Sequence, residues 1–118
     1  ADLASESQLA QAISLMQQNL MEPLGIEDIC RQCHISRSKL QRLFRQHTGQ
    51  GALNYYITLR VEAAKGMMRS RQHSYSEIAD ALGFGSIHYF SKQFKQVTGM
   101  TPTEYSASLR SLTERKSC

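Results

Sequence analysis

An all-α fold of about seven helices, with two helix-turn-helix subdomains joined by a long central linker helix, is predicted by three observations in the 118-residue sequence. Helical periodicity dominates the chain, which has two prolines and no stretch that alternates as a strand does. A short helix, a tight turn and a longer helix occur twice, about 50 residues apart. Charge is also segregated. Residues 1–30 hold five acids (Asp2, Glu6, Glu22, Glu27, Asp28) and no Lys or Arg, whereas residues 31–61 hold six bases and no acid. Residues 81–103 carry Lys92 and Lys95, again without an acid.

The first helix is predicted behind Ser5-Glu6-Ser7-Gln8, a capping-box pattern, with Leu9, Ile13, Met16 and Leu20 as its apolar stripe. Met21-Glu22-Pro23 ends it. A short helix fits Ile26 to Cys33, with Gly25 as N-cap. Ser36 caps the next, whose inner stripe is Leu40, Leu43, Phe44 and His47 and which stops at Thr48-Gly49. A long helix follows over roughly Ala52 to Arg71, with Leu53, Tyr56, Ile57, Arg60, Val61, Ala64, Met67 and Met68 facing inward. Arg60 on that stripe is expected to pack its stem and pair its head with a carboxylate. Ser74-Tyr75-Ser76-Glu77 starts another short helix, to Leu82. Gly83-Phe84-Gly85 turns the chain, and Ser86 opens a helix with Phe90, Phe94 and Val97 inside, ending at Thr98-Gly99. Tyr56, Tyr89 and Tyr105 are expected in the core or at its edge. Thr101-Pro102-Thr103-Glu104 begins a last helix, to about Leu109. The organisation predicted is a leading helix and first unit over residues 1–50, a linker helix over 51–72, a second unit with its closing helix over 73–110, and a disordered polar tail over 111–118.

The repeat carries the functional reading. Asp28-Ile29-Cys30 matches Glu77-Ile78-Ala79, Leu40-x-x-x-Phe44 matches Phe90-x-x-x-Phe94, and Thr48-Gly49 matches Thr98-Gly99. The second copy has one extra residue in its turn. A helix-turn-helix places its second helix in the major groove of DNA, and both second helices fall in acid-free segments, as a polyanion partner requires. Burial of the inner stripe leaves Arg37, Ser38, Gln41, Arg42 and Arg45 facing outward on one helix, and Ile87, His88, Ser91, Lys92 and Lys95 on the other. Arg pairs with guanine and Gln with adenine in two-point geometry, and Ile87 suits a thymine methyl. The linker of about 20 residues spans about 30 Å at 1.5 Å per residue, near the 34 Å or so between successive major-groove segments.

The sequence resembles the DNA-binding domain of the AraC/XylS family over about residues 9–106. The resemblance rests on Ser36-x-x-x-Leu40-x-Arg42-x-Phe44, Thr48-Gly49, Tyr56-x-x-x-Arg60-Val61-x-x-Ala64 and Ile78-Ala79-x-x-x-Gly83-Phe84. It continues through Tyr89-Phe90-Ser91-Lys92-x-Phe94-Lys95 and Gly99-Met100-Thr101-Pro102-x-x-Tyr105. It implies a bacterial transcription regulator, typically an activator, whose partners are double-stranded promoter or operator DNA and RNA polymerase. A small-molecule effector would act only through a sensing domain that this chain lacks. The resemblance assigns Ser38, Gln41 and Arg42 to bases and suits Ser36 and Arg45 to phosphates; Ser86 opens the second reading helix. The chain departs from the family at Cys30, where Ala is common, at Gln50-Gly51-Ala52, which lacks a proline, and at Lys92, where Arg is common. His34 stands where the second copy has Gly83.

Other classes are disfavoured. No run of 18 apolar residues is long enough for a membrane span, and the acidic start lacks the form of a secretory signal, so a cytoplasmic protein is expected. Three cysteines, an odd number, do not suggest a disulfide framework. Cys30-Arg31-Gln32-Cys33-His34 spells a c-type haem attachment pattern. Cys30 and Cys33 are instead expected inside, at the positions matched by Ala79 and Leu82, since Cys packs as a small hydrophobe. Neither a metal nor a cofactor is expected, and with no catalytic constellation the chain is not expected to be an enzyme.

Overall fold

The computed structural model describes the backbone of residues 3–116 and the side chains of residues 5–111. Among the described residues there are seven helices and no strand: α1 (Leu3–Gln18), α2 (Ile26–Gln32), α3 (Arg37–Thr48), α4 (Ala52–Ser70), α5 (Tyr75–Ala81), α6 (Ile87–Thr98) and α7 (Pro102–Lys116). The chain forms two compact units, residues 1–59 and 60–118, so the boundary falls inside α4.

In unit 1 the core joins Leu9, Ala12 and Met16 of α1 to Ile29, Cys33, Ile35, Leu40, Leu43 and Phe44, closed by Ala52 and Tyr56 of α4. The spacing of the α1 residues, three and then four, is one face of a helix. Tyr56 is buried to the hydroxyl. That group donates to Asn19 O at 2.6 Å and accepts from Leu24 N at 3.0 Å, so it ties down the chain between α1 and α2.

Unit 2 buries Val61, Ala64 and Met68 of α4 with Ile78, Ala79, Leu82, Phe84, Phe90 and Phe94. Its core is aromatic. Ring centroids are 5.1 Å apart for Phe84 and Phe90, 5.7 Å for Phe90 and Phe94, and 5.5 Å for Phe94 and Tyr105, distances that favour tilted and edge-to-face contacts. Arg60 is only 7% exposed, with its guanidinium 5.5 Å from the Phe84 ring centroid.

The repeat extends further than the motif matches. Leu9, Ala12 and Met16 of α1 correspond to Val61, Ala64 and Met68 of α4, and all six are buried. At the other end the Phe44 and Tyr55 rings meet at a tilt with centroids 5.3 Å apart, as Phe94 and Tyr105 meet edge-on at 5.5 Å. Each unit is therefore a leading helix, a helix-turn-helix and a closing helix, and α4 closes the first while leading the second.

Several details differ from the sequence reading. α1 starts at Leu3, so Ser5-Glu6-Ser7-Gln8 lies inside it. Leu53 is 51% exposed because Ala52 takes the inward position instead. His47 and Tyr89 are exposed, while Ile13, Leu20, Met67 and Val97 are half-buried. Leu20 lies beyond the end of α1 at Gln18, and the others sit at the margin of the apolar arc, where neighbouring helices decide how far burial spreads. α7 runs to Lys116, past the expected end at Leu109, so residues 111–116 are helical and not a disordered tail; no Gly or Pro stops the helix there. Ser117 and Cys118, the rest of that expected tail, lie outside the described residues.

Candidate nucleic-acid interface

The turn inside each helix-turn-helix sets how its second helix is presented. In unit 1, Cys33 N donates to Ile29 O at 2.9 Å and Ile35 N to Cys30 O at 3.0 Å. In unit 2, Leu82 N donates to Ile78 O at 3.0 Å and Phe84 N to Ala79 O at 2.9 Å. This closure needs a left-handed residue, supplied by His34 (φ 53°) and Gly83 (φ 72°). Ile35 and Phe84 then drop into their cores. The extra residue of the second turn is Gly85, also left-handed at φ 86°.

Gln8, read from the sequence as part of a capping box, serves another role. From α1 it reaches across to this turn, its Nε2 donating to His34 O at 3.0 Å and lying 3.4 Å from Cys33 O. No motif marks such a contact, because its partners are backbone carbonyls 25 and 26 residues away.

The presented helices begin alike. Ser36 Oγ accepts from Lys39 N and Ser86 Oγ from Tyr89 N, both at 3.1 Å. Each hydroxyl keeps its proton free to donate. They also end alike, at Gly49 (φ 77°) and Gly99 (φ 83°). Thr48 and Thr98 bond back to the carbonyls of Phe44 and Phe94 at 2.6 and 2.8 Å.

Between these ends Leu40, Leu43 and Phe44 of α3 and Phe90 and Phe94 of α6 are buried. Arg37, Ser38, Arg42 and Arg45 are exposed on α3, and Ile87, His88, Lys92 and Lys95 on α6. Gln41 and Ser91, at matching positions, are half-buried. In both helices the expected reading residues fill one arc of about 140° at 100° per residue, opposite the core. Neither helix contains an acid. Glu27 Oε1 lies 3.8 Å from Arg37 Nη1, and both side chains are exposed. A pair of this kind contributes at most about 1 kcal/mol, so Arg37 can exchange it for a phosphate.

Gln41 departs from the fully outward position expected for it. Its Oε1 accepts from Ala52 N, at the start of α4, at 3.0 Å.

Cys33 is buried as expected, whereas Cys30 is only half-buried. Both are free thiols. Desolvation raises the pKa of each above the ordinary value, only partly opposed at Cys30 by Arg37. That keeps them protonated near neutral pH, which disfavours attack and metal binding. Among the described residues no group of three or more His, Cys, Asp or Glu could hold a metal ion, and no helix is long and apolar enough to cross a membrane.

Residues 29–108 match the family described as "Helix-turn-helix domain". The chain is 34% identical to the HTH-type transcriptional regulator ArgR of Pseudomonas aeruginosa over 101 residues, 86% of this chain and 31% of that protein. It is 35% identical to the HTH-type transcriptional activator RhaR of Yersinia pseudotuberculosis over 103 residues, 87% of this chain and 36% of that one. It thus spans about a third of the length of these curated relatives. Among solved structures, an AraC-type DNA-binding domain-containing regulator from Chromobacterium violaceum superposes with a TM-score of 0.81 at 34% identity, covering 92% of this chain and 96% of that one. The DNA-binding domain of AdpA, solved in complex with a target DNA, gives 0.79 at 29% identity, covering 87% and 93%.

Proposed function

The chain belongs to the AraC-type helix-turn-helix family, and on that premise we propose that it is the DNA-binding segment of a bacterial transcription regulator, with α3 and α6 each entering a major groove. The observation that carries this reading is the matched register of the two helices. Each is the second helix of its helix-turn-helix, each turns the same arc away from its core, and neither has an acid on it. The AdpA domain, similar over most of this chain, is held on DNA in its own structure.

The residues divide by chemistry. Arg42 reads a guanine edge in two-point geometry, with Arg37 and Ser38 beside it. On α6, Ile87 contacts a thymine methyl, and His88 and Lys92 reach base edges, with Ser91 between them. Arg45 and Lys95 meet phosphates, as do the hydroxyls of Ser36 and Ser86. The two sets differ, so one chain reads a two-part, non-palindromic site. RNA polymerase is a second partner in this reading, consistent with the activator RhaR among the relatives. Effector sensing is assigned to a part of the protein outside these residues, and the cytoplasm is the proposed compartment. The assigned activity is binding, without catalysis.

The test is binding of the chain to duplexes selected from a random pool, measured against salt. About six to ten phosphate contacts would lower affinity by about 10³–10⁵ between 50 and 200 mM salt. Inserting about 5 base pairs between the two parts of the selected site rotates one by about half of a 10–10.5 bp turn and should abolish two-part binding. Undiminished affinity of the monomeric chain for that insert would show that only one unit reads DNA.

A further inference from the structure

We propose that Gln41 is a positioning residue: its side-chain amide caps the N-terminus of α4 and so fixes how α3 is presented, leaving base discrimination in unit 1 to Arg37, Ser38 and Arg42. The part concerning bases rests on the DNA-binding reading above; the capping part does not.

The start of α4 needs a cap from elsewhere. The first N–H groups of a helix have no partner within it, and a side chain just before the helix usually accepts from one. Here that residue is Gly51, whose carbonyl already accepts from Tyr55 N at 3.0 Å and which has no side chain to offer. Gln41 supplies the acceptor, Oε1, to Ala52 N from 11 residues upstream. The backbone group is a donor, so the amide oxygen and not its nitrogen must face it. Gly51 leaves room for this approach, since a Cβ there would lie 3.0 Å from Gln41 Oε1.

The second unit solves the same problem differently. α7 begins at Pro102, which has no N–H to satisfy. Before it, Thr101 Oγ1 accepts from Glu104 N at 3.2 Å, and Thr101 N donates to Glu104 Oε1 at 2.9 Å. The residue matching Gln41 is Ser91, and α7 has no donor there for it to satisfy. A long amide thus occurs in the unit that lacks its own cap.

The cap and two-point adenine reading compete for the same group. Reading adenine uses the amide oxygen to accept from N6 and the amide nitrogen to donate to N7. With Oε1 bonded to Ala52 N, the cap fixes the plane of the amide and leaves Oε1 one lone pair. A Gln that turned its amide to an adenine edge would strain or release its hold on the start of α4, the helix that closes the core around Tyr56.

The experiment compares the chain with Q41A and with Q41A/G51S, by thermal unfolding and by site selection from a random duplex pool. Q41A should lower the folding equilibrium constant about fivefold, as loss of an N-cap does. It should weaken binding to all selected sites alike, without changing the preferred base at any position. Gly51 is not left-handed, so Ser is compatible there, and with Gln41 truncated its hydroxyl can cap the same helix end by accepting from Asn54 N, three residues on, as Ser36, Ser74 and Ser86 do. Q41A/G51S should therefore recover both the thermal midpoint and the affinity. Two results would overturn the proposal: preference lost at one base pair with the midpoint unchanged, or a double variant that regains stability yet keeps an altered preference. If the unmodified chain bound no duplex, the function proposed above would fall, and the unfolding series would still decide whether Gln41 caps α4.

Discussion

His34 in unit 1 and Gly83 in unit 2 occupy the same left-handed position of the same turn, with the same two backbone hydrogen bonds around them. A left-handed backbone costs a residue with a side chain about 1–2 kcal/mol and costs glycine almost nothing. Unit 1 accepts that cost and holds the turn with Gln8, whose Nε2 bonds to His34 O. Unit 2 has glycine at that position, and Arg60, which matches Gln8 in the longer correspondence, packs its guanidinium against Phe84 of the turn. The starts of the closing helices differ in the same sense. Unit 2 uses Thr101, Pro102 and Glu104, within four positions, and unit 1 a single distant amide, Gln41. The common requirement is a backbone geometry. Gly83, Thr101 and Pro102 suit it by their own chemistry in unit 2, whereas in unit 1 His34 and the helix start after Gly51 are held by Gln8 and Gln41.

The equivalence of the two cores can be tested first, where the effect is largest. Phe44 and Phe94 are both fully buried and both pack tilted or edge-on against a closing-helix tyrosine. Truncating either to Ala should cost about 3–5 kcal/mol, read by urea unfolding. A loss below about 1 kcal/mol at one site only would break the correspondence.

The reading faces come next. Arg42→Ala should relax preference at one base pair of the first subsite by about 1–3 kcal/mol, and Lys92→Ala should act on the second subsite only. Both side chains are exposed, so thermal midpoints should hardly move. Arg45→Ala should weaken binding to all sequences and reduce the salt slope. Loss of stability without a change in preference would place Arg42 in a structural role.

The turns give smaller effects. Gly99→Ala adds a Cβ with nothing within 4 Å, so only its left-handed backbone resists, and the expected loss is about 1–2 kcal/mol. His34→Gly should stabilise unit 1, by only about 0.5 kcal/mol, because glycine also frees the unfolded chain. A destabilised His34→Gly would mean that the histidine side chain, and not Gln8, secures the turn.

The last difference is one of pH. In unit 2 the Glu77 and Glu104 carboxyls are held below the ordinary value of 4.5, first by the backbone N–H groups of Ser74 and Thr101 and then by their hydroxyls. A depressed folded pKa favours the carboxylate in the folded state. Its contribution is complete above the unfolded value and is lost as pH falls through the folded one. Glu77→Gln and Glu104→Gln keep an acceptor without a titration, so they should flatten the stability loss below about pH 4.5. An unchanged acid limb would remove these boxes from the account.

Much of this was legible in the residues. Ser36, Ser74, Ser86 and Thr101 as caps and Gly49 and Gly99 as stops are local chemistry, decided within a few residues. The outward arcs follow from the 3.6-residue period once Leu40, Phe44, Phe90 and Phe94 are taken as core. The longer correspondence was harder to read. Leu9, Ala12 and Met16 match Val61, Ala64 and Met68 only in burial and spacing, since one helix serves two units and its sequence answers to both.

The sequence by itself determined the helices, the repeat and the faces turned from the core, because period, caps and glycine stops act at short range. Only the tertiary structure decided how far burial spreads at the margins, leaving Leu53 and His47 exposed and Arg60 against Phe84. It alone joined Gln8 to the first turn, Tyr56 to the chain before α2, and Gln41 to the start of α4. Each of these is a side chain meeting a backbone group far along the chain. Every residue other than proline offers the same backbone N–H and C=O, so the identity of the partner leaves no mark in the sequence.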